Sequence, residues 1–180
     1  LLLIVLALLF CSLVAYGQTE PYITIWKTDN PGNSNNTQLT IPASGEFEYT
    51  WVEVDNISNT GSGESSGSTT IDFGLAGTYQ VTVTPTGTDP FHRIAFENEG
   101  DKDKILDITQ WGDIVGSSFE EAYHGAENVE ITATDTPDLS NVTTMKYAFA
   151  HTDLSTVSEM NHWNTENVTD MSYMFNEASS

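Results

Sequence analysis

Basic residues are nearly missing: Lys and Arg together number 5 in 180 residues, against 26 Asp and Glu, for a formal net charge of −21. A surface this acidic repels phosphate backbones, which excludes nucleic-acid binding driven by charge neutralisation. Cysteine is also almost absent. The single one, Cys11, lies in an apolar N-terminal segment, so the rest of the chain has no disulfide, no Cys-based zinc site and no thiol nucleophile. Dense charge is lacking as well. Only 17% of residues are charged, so the acidity comes from missing cations, and Ser, Thr, Asn and Gly fill the surface. What is present is 38% hydrophobic and 11% aromatic, enough for a core, which excludes an acidic disordered tail. The Thr-rich composition favours strands and loops over long helices. Self-repulsion of such a surface is relieved by salt or divalent cations, so saline or calcium-containing surroundings suit it.

The apolar residues of the N-terminus are concentrated in Leu1–Phe10 and continue with interruptions to Val14, followed by Ala15-Tyr16-Gly17. A run of this length ending in small-x-small reads as a secretory signal peptide over 1–17, too short for a membrane span. The expected mature chain is therefore secreted or at the cell surface, with no transmembrane span. The basic residues that open such a segment are missing, so its start is expected to lie before Leu1. A lipid-anchored form would begin at Cys11, but bulky Phe10 stands where a small residue is expected, which favours simple secretion.

From residue 18 to 98 the pattern is of short strands between turns. Tyr22–Trp26, Gln38–Ile41, Phe47–Val52 and Thr78–Thr84 alternate with period two, while Asn30–Ser34 and the Gly/Ser/Asn tract Ser58–Ser68 read as loops. Tyr79, Val81 and Val83 share one face, so they should be buried between exposed neighbours. This spacing predicts a small β-sandwich. The segment Phe73-Gly74-Leu75-Ala76-Gly77-Thr78-Tyr79-Gln80-Val81-Thr82-Val83 resembles the penultimate-strand motif of PKD-like and related immunoglobulin-like modules of bacterial surface proteins. A Gly-Asp-Gly turn, frequent earlier in PKD domains, does not follow Trp51.

Residues 99–180 repeat themselves. Thr143-Thr144-Met145-Lys146-Tyr147-Ala148-Phe149 returns 26 residues on as Thr169-Asp170-Met171-Ser172-Tyr173-Met174-Phe175, and one step back as Ser117 to Tyr123. Ile105, Ile131 and Val157 form another column; Trp111 and Trp163 agree across Pro137. The period predicts a solenoid with strands at Lys104–Ile108, Asn128–Thr132 and Leu154–Val157. Opposite them, Phe119–Tyr123, Met145–Phe149 and Met171–Phe175 would be short helical segments, with apolar residues at i, i+3 and i+4. Met145, Ala148, Phe149, Trp163, Met171, Met174 and Phe175 should be mostly buried by stacking. The fold class is thus mainly β with short helical segments, a small β-sandwich followed by a solenoid with 26-residue coils. Trp163-Asn164-Thr165-Glu166-Asn167-Val168-Thr169-Asp170-Met171-Ser172-Tyr173-Met174-Phe175 resembles the hallmark of BspA-like leucine-rich repeats of the DUF285 type found in bacterial surface proteins. The resemblance covers roughly Asp101 to Ser180. Unit one departs from it, with Gly116 in the Val142 column and Phe119 in the Met145 column, as expected of a cap. A further strand is due after Ser180, so more repeats are expected beyond it.

No catalytic, cofactor-binding or metal-ligating residue emerges. His124 and His151 fall one column apart in neighbouring coils; exposed loop histidines account for them better than a shared metal site. Glu120 with Glu121, or Asp101 with Asp103, are close carboxylates of the kind an acidic surface makes inevitable, and nothing marks them as a glycosidase pair. Asn98-Glu99-Gly100 and Asp101-Lys102-Asp103 resemble fragments of calcium loops without the full spacing, leaving calcium held by scattered carboxylates as the one cofactor still open. Gly63-Glu64-Ser65-Ser66-Gly67 matches a nucleophile-elbow pattern but lacks the strand and helix it needs. Asn35, Asn56, Asn141 and Asn167 begin Asn-x-Ser/Thr acceptors, which polar turn residues explain equally.

The expected function is non-catalytic binding through the exposed strand face, built from Lys104, Glu130, Thr132, Thr156 and Ser158 among others. The repeat resemblance implies adhesion, with extracellular proteins, glycans or neighbouring cell surfaces as partners. The alternative is an accessory N-terminal region of a larger secreted hydrolase, whose catalytic domain would lie past residue 180. A spacer for a surface layer would share this fold without recognising anything.

Overall fold

The computed structural model describes residues 19–154 and 159–179. The expected signal peptide with Cys11, and Thr156 and Ser158 of the expected binding face, lie outside them. The protein is mainly β. Ten strands appear in order: β1 (Tyr22–Lys27), β2 (Gln38–Ile41), β3 (Ala43–Ser44), β4 (Phe47–Glu53), β5 (Asn56–Ser65), β6 (Thr69–Asp72), β7 (Thr78–Pro85), β8 (Arg93–Ile94), β9 (Ile105–Gln110) and β10 (Glu130–Ile131).

Six of them form one open sheet in the order β10-β9-β1-β7-β4-β5, while β2 with β6 and β3 with β8 form two-stranded sheets. Alternation decides which face turns inward. Tyr22, Thr24 and Trp26 of β1 and Tyr79, Val81 and Val83 of β7 are buried, and the small sheets add Leu39, Ile41, Ile71 and Ile94 to the same core. Gln80 and Thr82, between the buried residues of β7, are half-buried rather than exposed, because their strand runs between β1 and β4. Two polar groups on the inner face of β1 satisfy each other: Trp26 Nε1 donates to Thr24 Oγ1 at 2.7 Å.

The Gly/Ser/Asn tract expected as a loop is the ten-residue edge strand β5, antiparallel to β4. Its glycines explain the pairing. Gly61 and Gly63 lie opposite Trp51 and Tyr49, and a Cβ at either would collide with the facing ring. Bare backbone lets two large aromatics lean across an edge strand, so what reads as flexible sequence is shaped by its neighbour.

The sheet does not stop at residue 98. β9 pairs antiparallel with β1, Thr24 opposite Ile108, and β10 continues it in parallel, Ile131 opposite Ile108. The expected column of Ile105 with Ile131 is therefore displaced by three residues: Ile131 faces Ile108. On the other side of the coil the offset is larger, since Phe119 N–H donates to Thr144 O and Tyr123 N–H to Ala148 O. Unit one is short along the stretch between these contacts, which is where its sequence departs from the repeat.

The segments expected as short helices are successive tight turns. Ala122 N–H donates to Phe119 O, Ala148 to Met145 O and Met174 to Met171 O, but the backbone turns left-handed one residue earlier, at Glu121, Tyr147 and Tyr173, with φ of 56°, 55° and 57°. It does so again at Gly125, His151 and Glu177. Two left-handed positions per unit forbid a helix, although the turn repeats the i, i+3, i+4 spacing of apolar residues. Met145, Ala148, Phe149, Trp163 and Met174 are buried as expected. Met171 and Phe175 are not, at 43% and 46% exposure, because they lie on the outer side of the last described coil.

Lys104, expected on the open strand face, is wholly buried just before β9. Its ammonium donates to Ser34 Oγ at 2.8 Å and to the carbonyls of Ser34, Asn35 and Gln38 at 3.1, 2.9 and 2.9 Å. Asp101, equally buried, lies 3.9 Å from it and accepts the N–H groups of Ser34 and Thr40. Burial pulls the Lys104 pKa down, against the opposing pull of Asp101 and Asp29. Together this pair pins the loop before β2 to the start of the first coil.

Two substitutions test these contacts by urea denaturation. Lys104→Met leaves Asp101 as an uncompensated buried charge and should cost about 3–5 kcal/mol. Gly61→Val should cost about 1–3 kcal/mol through the clash with Trp51, whereas Ser62→Val on the exposed side of the same strand should stay within about 0.5 kcal/mol.

Candidate binding surface

The coils repeat their side-chain geometry because each turn is fixed in the same way. At the entry to each turn a side-chain oxygen accepts the N–H two residues on: Ser118 from Glu120 at 3.1 Å, Thr144 from Lys146 at 3.3 Å and Asp170 from Ser172 at 2.9 Å. Alternate N–H groups then leave the coil. Those of Phe119, Glu121, Tyr123 and Gly125 donate to the carbonyls of Thr144, Lys146, Ala148 and Ala150. One unit later those of Met145, Tyr147, Phe149 and His151 donate to Asp170, Ser172, Met174 and Asn176.

Inside, this ladder aligns an aromatic column. Ring centroids run from Trp26 to Phe96 at 6.0 Å, to Tyr123 at 6.3 Å, to Phe149 at 5.4 Å and to Phe175 at 5.8 Å, so the column begins in the sheet and continues through the coils. Trp111 and Trp163 meet edge to face at 5.4 Å, across the proline that separates them in the repeat. Between sheet and first coil, a cavity of about 30 Å³ bordered by Tyr22, Trp111 and Tyr123 has room for a water and not for an organic ligand. The Tyr22 and Tyr123 hydroxyls bond each other at 2.8 Å, and burial pushes both far above the usual phenol range, so neither serves as a base near neutrality.

Outside, the same ladder makes two surfaces. On the turn side Tyr147 and Tyr173 stack at 4.9 Å and 7°, and His124 stacks on both Tyr147 and His151 at 5.4 Å. Lys146 sits 5.5 Å over the Tyr147 ring; Glu121 pairs with His124, and Glu177 with His151, each at 3.4 Å. On the strand side Glu130 and Thr132 are exposed as expected, with Thr132 bonded to Asp107. Beyond them opens a polar cleft of about 560 Å³ lined by Glu20, Gln110, Asp113, Thr134, Asp135 and Thr136. Its carboxylates are engaged: Asp135 accepts the N–H groups of Trp111 and Gly112, and Asp113 that of Glu20. The cleft thus presents hydroxyl, amide and hydrogen-bonded carboxylate groups.

The remaining sequence candidates are placed as follows. His124 and His151 do come together, as stacked rings, and no group of three or more His, Cys, Asp or Glu fit for a metal occurs among the described residues. Asp101 serves Lys104, and Asp103 pairs with Lys102 at 3.0 Å, so both carboxylates of the calcium-like fragment already hold cations of the chain itself. Ser65 lies on β5 and donates to Gly67 O. Asn35 and Asn56 accept N–H groups two residues on, and Asn167 donates to Ser140 O. The repeat spacing of Tyr147 with Tyr173, and of His124 with His151 one column apart, pointed to neighbouring rings but not to their stacking on one another.

Residues 117–180 match the family model described as Mycoplasma protein of unknown function, DUF285. The match covers all three turn segments. No curated protein and no solved structure matches the chain. Among the described residues, no helix is long and apolar enough to cross a membrane.

The loops and coils carry a pH dependence of known sign. N–H groups of Asp89 and Thr88 hold the Glu46 carboxyl below its usual pKa, the Ser140 hydroxyl and N–H do so for Asp138, and those of Ser172 for Asp170. Depressed carboxyl pKa values stabilise the fold above the unfolded value, about 4, and that contribution is lost as pH falls through the folded values. The melting temperature should be flat from about pH 7 to 5 and fall below about pH 4. In Asp170→Asn the fall should be shallower.

Proposed function

We propose that this chain is a secreted or cell-surface binding protein without catalytic activity. Its N-terminal part is a small PKD- or immunoglobulin-like β-sandwich, and its C-terminal part a BspA-like leucine-rich-repeat solenoid that binds extracellular proteins, glycans or a neighbouring cell surface. The observation that carries the reading is the hydrogen-bond ladder between successive turn segments, since it repeats outward side chains at fixed intervals over an open surface. Regular exposed columns suit recognition by area, and stacked tyrosines are the residue type that most often anchors such contacts. The match of 117–180 to DUF285 agrees with the repeat assignment and is silent on activity.

The test is binding of the purified chain to immobilised glycans and extracellular-matrix proteins. Saturable binding is expected, weakened about tenfold by Tyr173→Ala, as for loss of one aromatic anchor, with the circular dichroism spectrum unchanged. Hydrolysis of a polymer without adhesive binding would overturn the reading.

A further inference from the structure

The loop between β7 and β8 is built around one residue, Glu46. The N–H groups of Thr86 and Phe91 donate to its carbonyl at 2.9 Å each, and those of Thr88 and Asp89 to its carboxylate at 2.7 and 3.1 Å. Its own N–H donates to the carbonyl of Asp89. Gly45, at φ +93°, packs so closely on Pro90 that a Cβ there would collide with it. The Asp89–Pro90 peptide bond is thus held fixed, with a hydrogen-bond donor already on its carbonyl oxygen.

An imidazole stands beside it. His92 Nε2 lies 3.7 Å from Asp89 Oδ1, and Nδ1 lies 2.6 Å from Ser117 Oγ. Ser117 N–H also donates to His92 O at 3.0 Å, so a residue of the first coil holds this side chain in place. A cavity of about 300 Å³ lined by Thr86, Gly87, Pro90, His92, Asp113 and Val115 opens beside Pro90. The other charges around it are Glu46, Asp113 and Arg93, the last of which reaches towards Glu97 and Glu120 O.

We propose that Asp89–Pro90 is a self-cleavage site of the folded chain. Aspartate before proline is suited to it: the side-chain carboxylate can close a five-membered ring on its own carbonyl carbon, and proline leaves as a secondary amine. In the reaction an Asp89 carboxylate oxygen bonds to the Asp89 carbonyl carbon. The bond from that carbon to the Pro90 nitrogen breaks, and the nitrogen takes a proton that His92 supplies directly or through one water. Asp89 is left as a cyclic anhydride, which one water opens to two carboxyl groups, and His92 regains its proton from solvent. The net change is hydrolysis of one peptide bond, with nothing oxidised or reduced. Glu46 N–H stabilises the charge that develops on the carbonyl oxygen, and Ser117 acts as a positioning residue for His92. After cleavage the pieces stay joined, because β9 still pairs with β1 and β8 with β3.

The test is incubation of the purified chain at pH 4 to 8, read by denaturing gel, mass spectrometry and N-terminal sequencing, with size exclusion to show that the nicked chain remains assembled. A fragment beginning Pro90-Phe91-His92-Arg93 is expected. The reaction needs the carboxylate, so acid must not accelerate it. Asp89→Asn should abolish the fragment, and His92→Gln should slow it at least about tenfold, the usual worth of a positioned general acid, both with unchanged circular dichroism. A chain that stays intact, or is cut as fast in concentrated urea or as His92→Gln, would overturn the proposal; so would a rate that simply rises as pH falls, the behaviour of unassisted acid lability.

Discussion

The C-terminal half depends on a ladder of N–H to carbonyl bonds passed from one turn segment to the next. It satisfies backbone groups that tight turns cannot satisfy internally. Its condition is the pair of left-handed residues in each unit, which turn alternate N–H groups out of the coil towards the next one. Glu121, Tyr147 and His151 hold a backbone conformation rare for their residue types, and each donates its N–H to a carbonyl of the next unit. Inner packing follows: Met145, Ala148 and Phe149 are buried because the neighbouring unit is held over them.

The sheet supplies what the first coil cannot. A terminal unit of a stack has no predecessor to pair with, and here β1 serves as that predecessor on one side while the segment around Phe96 does so on the other. Phe96 and Asn98 donate to Ala122 and His124 in the manner of a preceding coil. The three-residue slip between Ile131 and Ile108 is the adjustment by which an antiparallel edge accepts a parallel stack. Lys104 and Asp101, buried beneath the same junction, add a polar lock that only this combination of elements can satisfy.

Local pattern was a good guide where side chains alternate. The strands at Tyr22, Gln38, Phe47 and Thr78 lie where period two puts them, and the equivalence of Met145 with Met171 in the ladder was legible from repetition alone. β5 was hidden because its pairing depends on rings contributed by another strand. The turns were misread as helices because i, i+3, i+4 spacing arises in both; Gly125, in the column of His151 and Glu177, was the one residue hinting at a left-handed backbone. Lys104 looked exposed because charge usually is, and the oxygens that bury it come from residues about seventy positions earlier. The aromatic stack on the surface was half legible, since repetition predicts columns but not which of them face solvent.

The ladder also has a direction. Every rung from Phe119 to His151 gives hydrogens forward, and in the last coil the corresponding N–H groups of Met171, Tyr173 and Phe175 meet no acceptor among the described residues. Elsewhere on the coil the direction reverses, since Thr143 O accepts the N–H groups of Thr169 and Asp170. Along the turn segments themselves the polarity is uniform, so any strand that pairs with Met171–Phe175 there must present carbonyl oxygens to them.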